Sequence, residues 1–340
     1  MRTSTLLGVC ALASLSLSTM TLGCDEVAKA VDANNTQAGE ADGRAVELAS
    51  IPQRLGDMAV DGTEIWIVAE NGDVLKRPRS GANIAPTKVS SFARQNPYGE
   101  TSRALLDAEF AYVLDGRSVN RIPRAGGSLE KLADAAAANL AVTTDAIFAV
   151  SMDNTKVIKI DKKTKAVTDL ATGFGHIEDM AAVGERLVVA DREGETITAI
   201  AMADGAKTDL AKSQSRPYRI GLGPDHVYWI NGALSDTNKA VEEKMFRIKK
   251  DGTGQPEVVV DKVDGFPRHI SADAQFLYID QACGGVYRAP VAGGETTKFL
   301  NAAVQDFDLA ESGLTVLEDN GCRFDDTARN QPNRLLSVTK

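Results

Sequence analysis

The chain repeats itself. Residues 216–230, Arg-Pro-Tyr-Arg-Ile-Gly-Leu-Gly-Pro-Asp-His-Val-Tyr-Trp-Ile, form a short apolar segment, a Gly-Pro-Asp turn and an aromatic-rich second segment. The same cadence returns at residues 267–280, Pro-Arg-His-Ile-Ser-Ala-Asp-Ala-Gln-Phe-Leu-Tyr-Ile-Asp, with weaker copies at five other places. From Val46 onward the apolar residues recur with period two, not 3.6, which marks strands. A repeat of about 40 residues built from short strands is the signature of four-stranded propeller blades, whose sheets bury their faces only against neighbouring blades.

Second strands are predicted at residues 65–68, 110–114, 147–150, 187–190, 227–230, 276–279 and 314–317. Each follows a polar turn, such as Asp61-Gly62, Thr144-Asp145 or Pro224-Asp225. Third strands are predicted at 74–78, 119–123, 157–160, 197–200, 245–248, 286–290 and 335–338. Fourth strands follow only six of them, at 87–90, 131–133, 168–171, 208–211, 257–260 and 297–300. The missing one is expected at the other end, where residues 46–49, Val-Glu-Leu-Ala, resemble the fourth strands Lys-Leu-Ala-Asp and Thr-Asp-Leu-Ala. Pairing of 46–49 with 335–338 would close the ring and remove two open sheet edges. The expected fold is therefore all-β: a seven-bladed β-propeller of four-stranded antiparallel blades over residues 46–340, closed by its first strand in the last blade.

In such a ring, the connection into each first strand lies on the same face as the loop between strands two and three. Alignment of the first strands on their apolar residues gives one equivalent position just before each: Asp57, Arg103, Asn139, Asp179, Arg219, His269 and Asp306. All are polar in an apolar neighbourhood, and they should ring the channel mouth, backed by Glu178, Tyr218, Arg268 and Gln305. The candidate ligand-binding set is Asp57, Arg103, Asn139, Asp179, Arg219, Arg268, His269 and Asp306. The competing reading is a self-satisfied circle of salt bridges and waters that closes the channel.

The longest loops between second and third strands, 231–244 and 319–333, fall in blades five and seven and flank blade six. Long loops on a rigid scaffold are where binding concentrates, so Arg219, Arg268, His269 and Asp306 form the favoured sector. Cys283 and Cys322 lie in neighbouring loops of this face and are expected to form a disulfide; the alternative is two free thiols. Of the three histidines, His269 belongs to the ring, His176 approaches the rim and His226 reads as a turn-packing residue. Trp66, Tyr112, Tyr228, Trp229 and Tyr278 lie in second strands and read as core between blades. No Gly-x-Ser-x-Gly, His-Glu-x-x-His, phosphate-binding Gly loop or paired CxxC motif is present, so no catalytic residue is assigned. The turns after third strands carry Arg79, Arg124, Lys162, Lys163, Lys249 and Lys250 and read as a solvated basic rim on the opposite face.

The N-terminus reads as an export signal: Arg2, then an apolar, hydroxyl-rich stretch over residues 6–22 that is too short and too polar to span a membrane. It ends Thr21-Leu22-Gly23-Cys24, which resembles the lipobox of bacterial lipoproteins, although Thr21 stands where a Leu is usual. This implies a signal peptide over 1–23, a lipidated Cys24 and a tether over 24–45 that is too polar to fold. An ordinary signal peptide followed by a free Cys is the other reading. The Val227-Tyr228-Trp229 strand resembles those of YWTD-like and related bacterial propellers, a resemblance that implies the seven-bladed architecture and no activity. A net charge of −9 argues against nucleic acid and against charge-driven docking on anionic membranes. The expected protein is a monomer in the bacterial cell envelope, periplasmic or surface-exposed. Its only membrane contact would be the lipid anchor, and it would bind a protein, peptide or glycan without a cofactor. The alternative is a propeller enzyme, a lyase or lactone hydrolase, using a divalent metal held by Asp57, Asp179, Asp306 and His269.

Overall fold

A computed structural model describes residues 44–93, 103–115, 117–135, 140–232, 243–263, 267–281, 284–320 and 332–340. The described residues form 28 strands. After β1 (Ala45–Ile51), blade one comprises β2 (Leu55–Val60), β3 (Glu64–Ala69), β4 (Asp73–Pro78) and β5 (Thr87–Ser91). Blade two follows with β6 (Arg103–Leu106), β7 (Phe110–Leu114), β8 (Ser118–Pro123) and β9 (Glu130–Asp134), and blade three with β10 (Leu140–Val142), β11 (Ala146–Val150), β12 (Lys156–Asp161) and β13 (Val167–Thr172). Blade four is β14 (Ile177–Val183), β15 (Arg186–Asp191), β16 (Thr196–Ala201) and β17 (Lys207–Ala211). Blade five is β18 (Arg219–Leu222), β19 (His226–Asn231), β20 (Lys244–Lys249) and β21 (Glu257–Val260). Blade six is β22 (Pro267–Ala272), β23 (Phe276–Gln281), β24 (Gly285–Pro290) and β25 (Thr297–Leu300). Blade seven is β26 (Val304–Ala310), β27 (Gly313–Glu318) and β28 (Asn333–Thr339), completed by β1.

The closure expected from the sequence is present. β1 pairs antiparallel with β28, Val46 opposite Ser337 and Ala49 opposite Leu335. The Asn333 side chain adds a bond from Nδ2 to Gln53 O at 2.6 Å. The sheets are not seven separate units, however. Blades five and six share one eight-stranded sheet through a single parallel bridge, Leu222 to Ser271. Gly221 permits this approach: a Cβ there would sit 2.5 Å from the Ile270 Cβ and 2.9 Å from the Ile270 carbonyl oxygen.

The core is distributed over the joints. Each of seven buried clusters draws from two consecutive blades: Val188, Ala190 and Ile197 meet Val227 and Trp229 between blades four and five, and Leu317 and Leu335 meet Leu55, Ile65 and Ile67 between blades seven and one. The second strands are buried on both faces, which explains their unbroken apolar runs. Trp66, Tyr112, Tyr228, Trp229 and Tyr278 are all core residues, as their strand positions implied. Every outer strand meets its neighbour through a register shift, at Val74/Leu75, Val119/Asn120, Val157/Ile158, Ile197/Thr198, Met245/Phe246, Val286/Tyr287 and Glu47/Ala49. Such bulges twist an exposed edge away from straight pairing with another chain.

The face opposite the ring departs from expectation. Its cations are not a merely solvated rim, because several staple the joints. Arg124 Nη1 lies 2.5 Å from Asp61 Oδ2 and its Nη2 2.7 Å from Glu64 Oε2, linking blade two to blade one. Lys162 lies 2.6 Å from Asp107 Oδ2 between blades three and two, and Lys340 2.9 Å from Asp273 between blades seven and six. At these three joints the cation finds the turn carboxylate of the neighbouring blade's first hairpin, Asp61, Asp107 or Asp273. Burial alone would raise the Asp107 carboxyl, but Lys162, the Phe110 amide and the Tyr112 hydroxyl together hold it down at about 2.

Candidate functional site

The polar circle forms, but its members sit inside the first strands and not before them. Asp57, Asp179, His269 and Asp306 are the third residues of β2, β14, β22 and β26. Each lies in or beside a register shift: Leu55/Asp57, Ile177/Asp179, Pro267/Ile270 and Val304/Asp306. The shift lets the strand run two residues further toward the loop face while re-aiming the side chain. Arg103 and Arg219, without a shift, open β6 and β18.

The re-aimed carboxylates each take the same kind of partner, a backbone amide of the next blade. Asp306 Oδ2 accepts from Met58 N of blade one at 2.9 Å, Asp57 Oδ2 from Ala104 N of blade two at 2.6 Å, and Asp179 Oδ2 from Ile220 N of blade five at 2.9 Å. In each case the donor follows the ring residue of the next blade. These Asp residues therefore close joints, each satisfying a buried amide that no ladder reaches. Their other oxygens are partly committed too: Asp179 Oδ1 accepts from Met180 N and Asp306 Oδ1 from Phe307 N, both at 2.8 Å.

Arg103 crosses the channel from blade two to blade six, where Nη1 lies 2.5 Å from His269 Nε2. A guanidinium can only donate, so His269 accepts at Nε2 and carries its proton on Nδ1. That proton faces Asp280 Oδ2 at 3.2 Å and Asp306 Oδ1 at 3.4 Å. Burial works against the Arg103 charge, but Asp57, Asp179, Asp306 and Asp280 outweigh it and hold the guanidinium more firmly protonated than usual. Burial, followed by the neighbouring Asp57 carboxylate, pushes the Asp306 carboxyl well above its ordinary range. Asp57, His269 and Asp306 bring ligand-type atoms within 4.8 Å of one another. They do not fit a divalent ion, because Arg103 occupies the Nε2 side as the resident cation and the Nδ1 proton faces the carboxylates.

Asp280 is the member that sequence reasoning missed. Fully buried at the end of β23, it accepts from the amides of Arg268 at 3.2 Å and His269 at 2.5 Å. Asp191, at the end of β15, does the same for Gly175 and His176 at 2.9 and 2.8 Å. The signal was available: the second strands Val-Val-Ala-Asp and Leu-Tyr-Ile-Asp both end on an acid. Arg268 and Gln305 also act across a joint, with Arg268 Nη1 donating to Gln305 Oε1 at 2.9 Å and Gln305 Nε2 to Gly56 O at 3.2 Å. Glu178 is engaged by Arg192, and His176 lies 3.6 Å from it at the rim.

Arg219 stands apart from this network. Its Nη1 donates to Tyr218 O at 3.1 Å and its guanidinium lies 5.5 Å from the Tyr218 ring centroid. Among the described residues it is the ring cation without a carboxylate at ion-pair distance. Glu243, just before β20, faces Tyr218 and Arg219. Burial pushes the Glu243 carboxyl up to about 7 against the opposing pull of the hydroxyl and the guanidinium. Arg219 Nε is buried without a hydrogen-bond partner, as are Arg103 Nε and Arg268 Nε, whereas the Tyr218 hydroxyl and the Glu243 carboxyl partner each other.

Asn139, Cys24, Cys283 and Cys322 lie outside the described residues, as do the signal peptide, most of the tether and most of the loops 231–244 and 319–333. The structure thus unites Asp57, Arg103, Asp179, Arg268, His269 and Asp306 in one network and leaves Arg219 beside it. No family model matches the chain, and no curated protein matches it. Among solved structures it is similar to the WD40 β-propeller domain of Doa1, with TM-score 0.60 and 12% identity over 88% of this chain and 99% of that one. It is also similar to U3-55K, with TM-score 0.62 and 12% identity over 87% and 98%. The likeness to BamB from Moraxella catarrhalis has TM-score 0.53 and 12% identity over 84% and 85%. At such identities the likeness speaks for the fold, and that fold is a β-propeller.

Proposed function

We propose that this chain is a binding module: an exported, YWTD-like propeller, lipid-anchored through Cys24 at the cell envelope. It acts as a monomer that captures a protein, peptide or glycan on the loop face of blades five to seven. The observation that carries this reading is the uneven ring. Where ring carboxylates close the joints at blades seven to one, one to two and four to five, their capacity is spent on backbone amides. At blade five, on the face of the long loops, Arg219 is the ring cation with no carboxylate at ion-pair distance among the described residues, and its Nη1 is turned to its own neighbour's carbonyl, Tyr218 O. An unpaired cation beside long loops on a rigid frame suits recognition.

The test is capture from the native envelope by the Cys24-tethered protein, compared with a variant in which a two-residue turn replaces residues 233–242. Folding should be retained and the partner lost; equal capture by both proteins defeats the proposal. The enzyme alternative, a lyase or lactone hydrolase, has the Asp57–His269–Asp306 grouping in its favour. The Arg103 guanidinium against His269 weighs against a metal there.

A further inference from the structure

Each third strand places one residue just past its register shift. At that position blades one, three, five, six and seven carry Leu75, Ile158, Phe246, Tyr287 and Leu336, and blade two carries Asn120. Blade four carries Thr198. Joints between blades are close-packed, so a short polar side chain where most blades use a bulky one leaves space. The space is a cavity of about 220 Å³ between blades three and four. Phe174, Asp191 and Thr198 line it and are buried, while Thr196 is half-buried and Lys207 and Asp209 are exposed, so the cavity opens to solvent.

The bonds already made there fix what the lining can still offer. Thr198 gives its one hydroxyl proton to Asp209 Oδ1 at 3.0 Å, so it accepts from Thr196 Oγ1, also at 3.0 Å. The Thr196 oxygen is left as an acceptor. Asp209 Oδ2 is turned outward, 3.3 Å from the exposed Lys212. Asp191 takes the amides of Gly175, His176 and Gly194, and a Cβ at Gly194 would overlap its Oδ2. Lys207 Nζ donates to Thr172 O at 2.8 Å and lies 4.7 Å from the Phe174 ring centroid, which leaves two of its protons for another acceptor.

This lining selects by charge and by size. An anion would face two carboxylates, Asp191 and Asp209, against one ammonium. A metal ion would lack a set of three ligand-type side chains, since among the described residues that grouping occurs at Asp57, His269 and Asp306. An apolar group would strip water from hydroxyls and carboxylates and give nothing back. A neutral group that donates and accepts at several points satisfies all of them. At ~30 Å³ of liquid per water, a cavity of about 220 Å³ has the bulk of one sugar ring, not of a peptide segment. We propose that the cavity between blades three and four seats a single neutral pyranose unit of a glycan, whose hydroxyls donate to Asp209 and Thr196 and accept from Lys207. The site goes beyond the capture assigned to blades five to seven and does not rest on it.

The experiment titrates the full-length protein, in a detergent without a sugar headgroup, with the methyl pyranosides of glucose, galactose, mannose and N-acetylglucosamine, read by saturation-transfer NMR. At least one should bind. Thr198→Leu, which installs the blade-one residue, should abolish that binding while the melting temperature holds or rises, because the void is filled. Asp209→Asn should weaken binding about tenfold, the effect of one charge-assisted hydrogen bond, and Thr196→Val should weaken it less. These two variants carry the test if Thr198→Leu does not fold. Thr208→Ala, an exposed position between Lys207 and Asp209, should leave binding unaltered. The variant with a two-residue turn in place of residues 233–242 should bind the pyranoside as the wild type does, even where it loses an envelope partner. Absence of pyranoside binding, which would make this a water-filled cavity, overturns the assignment. So does binding indifferent to Thr198→Leu and Asp209→Asn, or binding lost on shortening 233–242. So does Thr198-dependent binding of acetate or acetamide without pyranoside binding. In each of those cases the binding-module reading stands or falls by its own capture test.

Discussion

Replacing Asp57 separates a joint-closing ring from a ligand-binding one. The carboxylate accepts from the buried Ala104 amide at 2.6 Å and lies 3.8 Å from Arg103, which stays close to other carboxylates. In Asp57→Ala the amide loses its only side-chain acceptor, at a cost of about 1–3 kcal/mol. The loss of a carboxylate from beside Asp306 offsets part of the reduced neutralisation of Arg103, so the net loss stays near 2 kcal/mol. At about 2–4 °C per kcal/mol for a large domain, the melting midpoint should drop by roughly 4–8 °C. Asp57→Asn keeps an oxygen for the Ala104 amide and offers an N–H to Asp306, so it should cost under about 1 kcal/mol. Calorimetry and urea unfolding of the three proteins provide the assay. An Ala variant that melts with the wild type, or an Asn variant as weak as Ala, would refute the view that this carboxylate serves the neighbouring blade.

Gly221→Ala should destabilise by about 3 kcal/mol or more in urea unfolding, because the new methyl meets a branched Cβ and a carbonyl of β22, not a movable side-chain end; a loss under about 0.5 kcal/mol would contradict the tight approach of blades five and six. Acid should release the opposite face. The Asp107 carboxyl is held at about 2, below its unfolded value, so its contribution is complete above the ordinary carboxylate range and disappears as pH falls from about 4 through 2. Lys162→Met should move the Asp107 carbon resonance titration upward, and an unchanged midpoint would remove Lys162 as the cause. Divalent Ca, Mg, Mn or Zn ions should shift the wild-type melting temperature by less than about 1 °C, since a ligand at a hundred times its Kd would add about 2.7 kcal/mol; a larger shift that vanishes in His269→Gln would show that the ion displaces Arg103.

Much of the fold was legible because each blade repeats the same strand pattern. The second strands stood out because both of their faces are buried, as in Val227–Ile230, and the closing strand because Val-Glu-Leu-Ala copies the other fourth strands. The identity of the ring was legible from aligned polar positions, but its purpose was not. Whether Asp57 points into the channel or across to Ala104 depends on a one-residue shift in β2 that leaves no mark in the pattern of apolar residues. Asp280 escaped notice because it belongs to the second strand, while the alignment was built on the first. The basic turns were misjudged as solvated because the partners of Arg124 and Lys162 lie a whole blade earlier in the chain. The fusion of blades five and six rests on the missing side chain of Gly221, which from sequence reads as an ordinary weak point in a strand.

The pairing of β1 with β28 also sets an order of events during biosynthesis. Asn333 bonds to Gln53 across 280 residues, so β1, once clear of the ribosome, must wait, unmatched, for β28 to arrive. Individual blades can collapse in the meantime, but the circle cannot be sealed until β28 has been made. A chain that latches so late stays threadable for longer, and the contacts that complete it span the greatest distance along the polymer, which makes sealing a slow step.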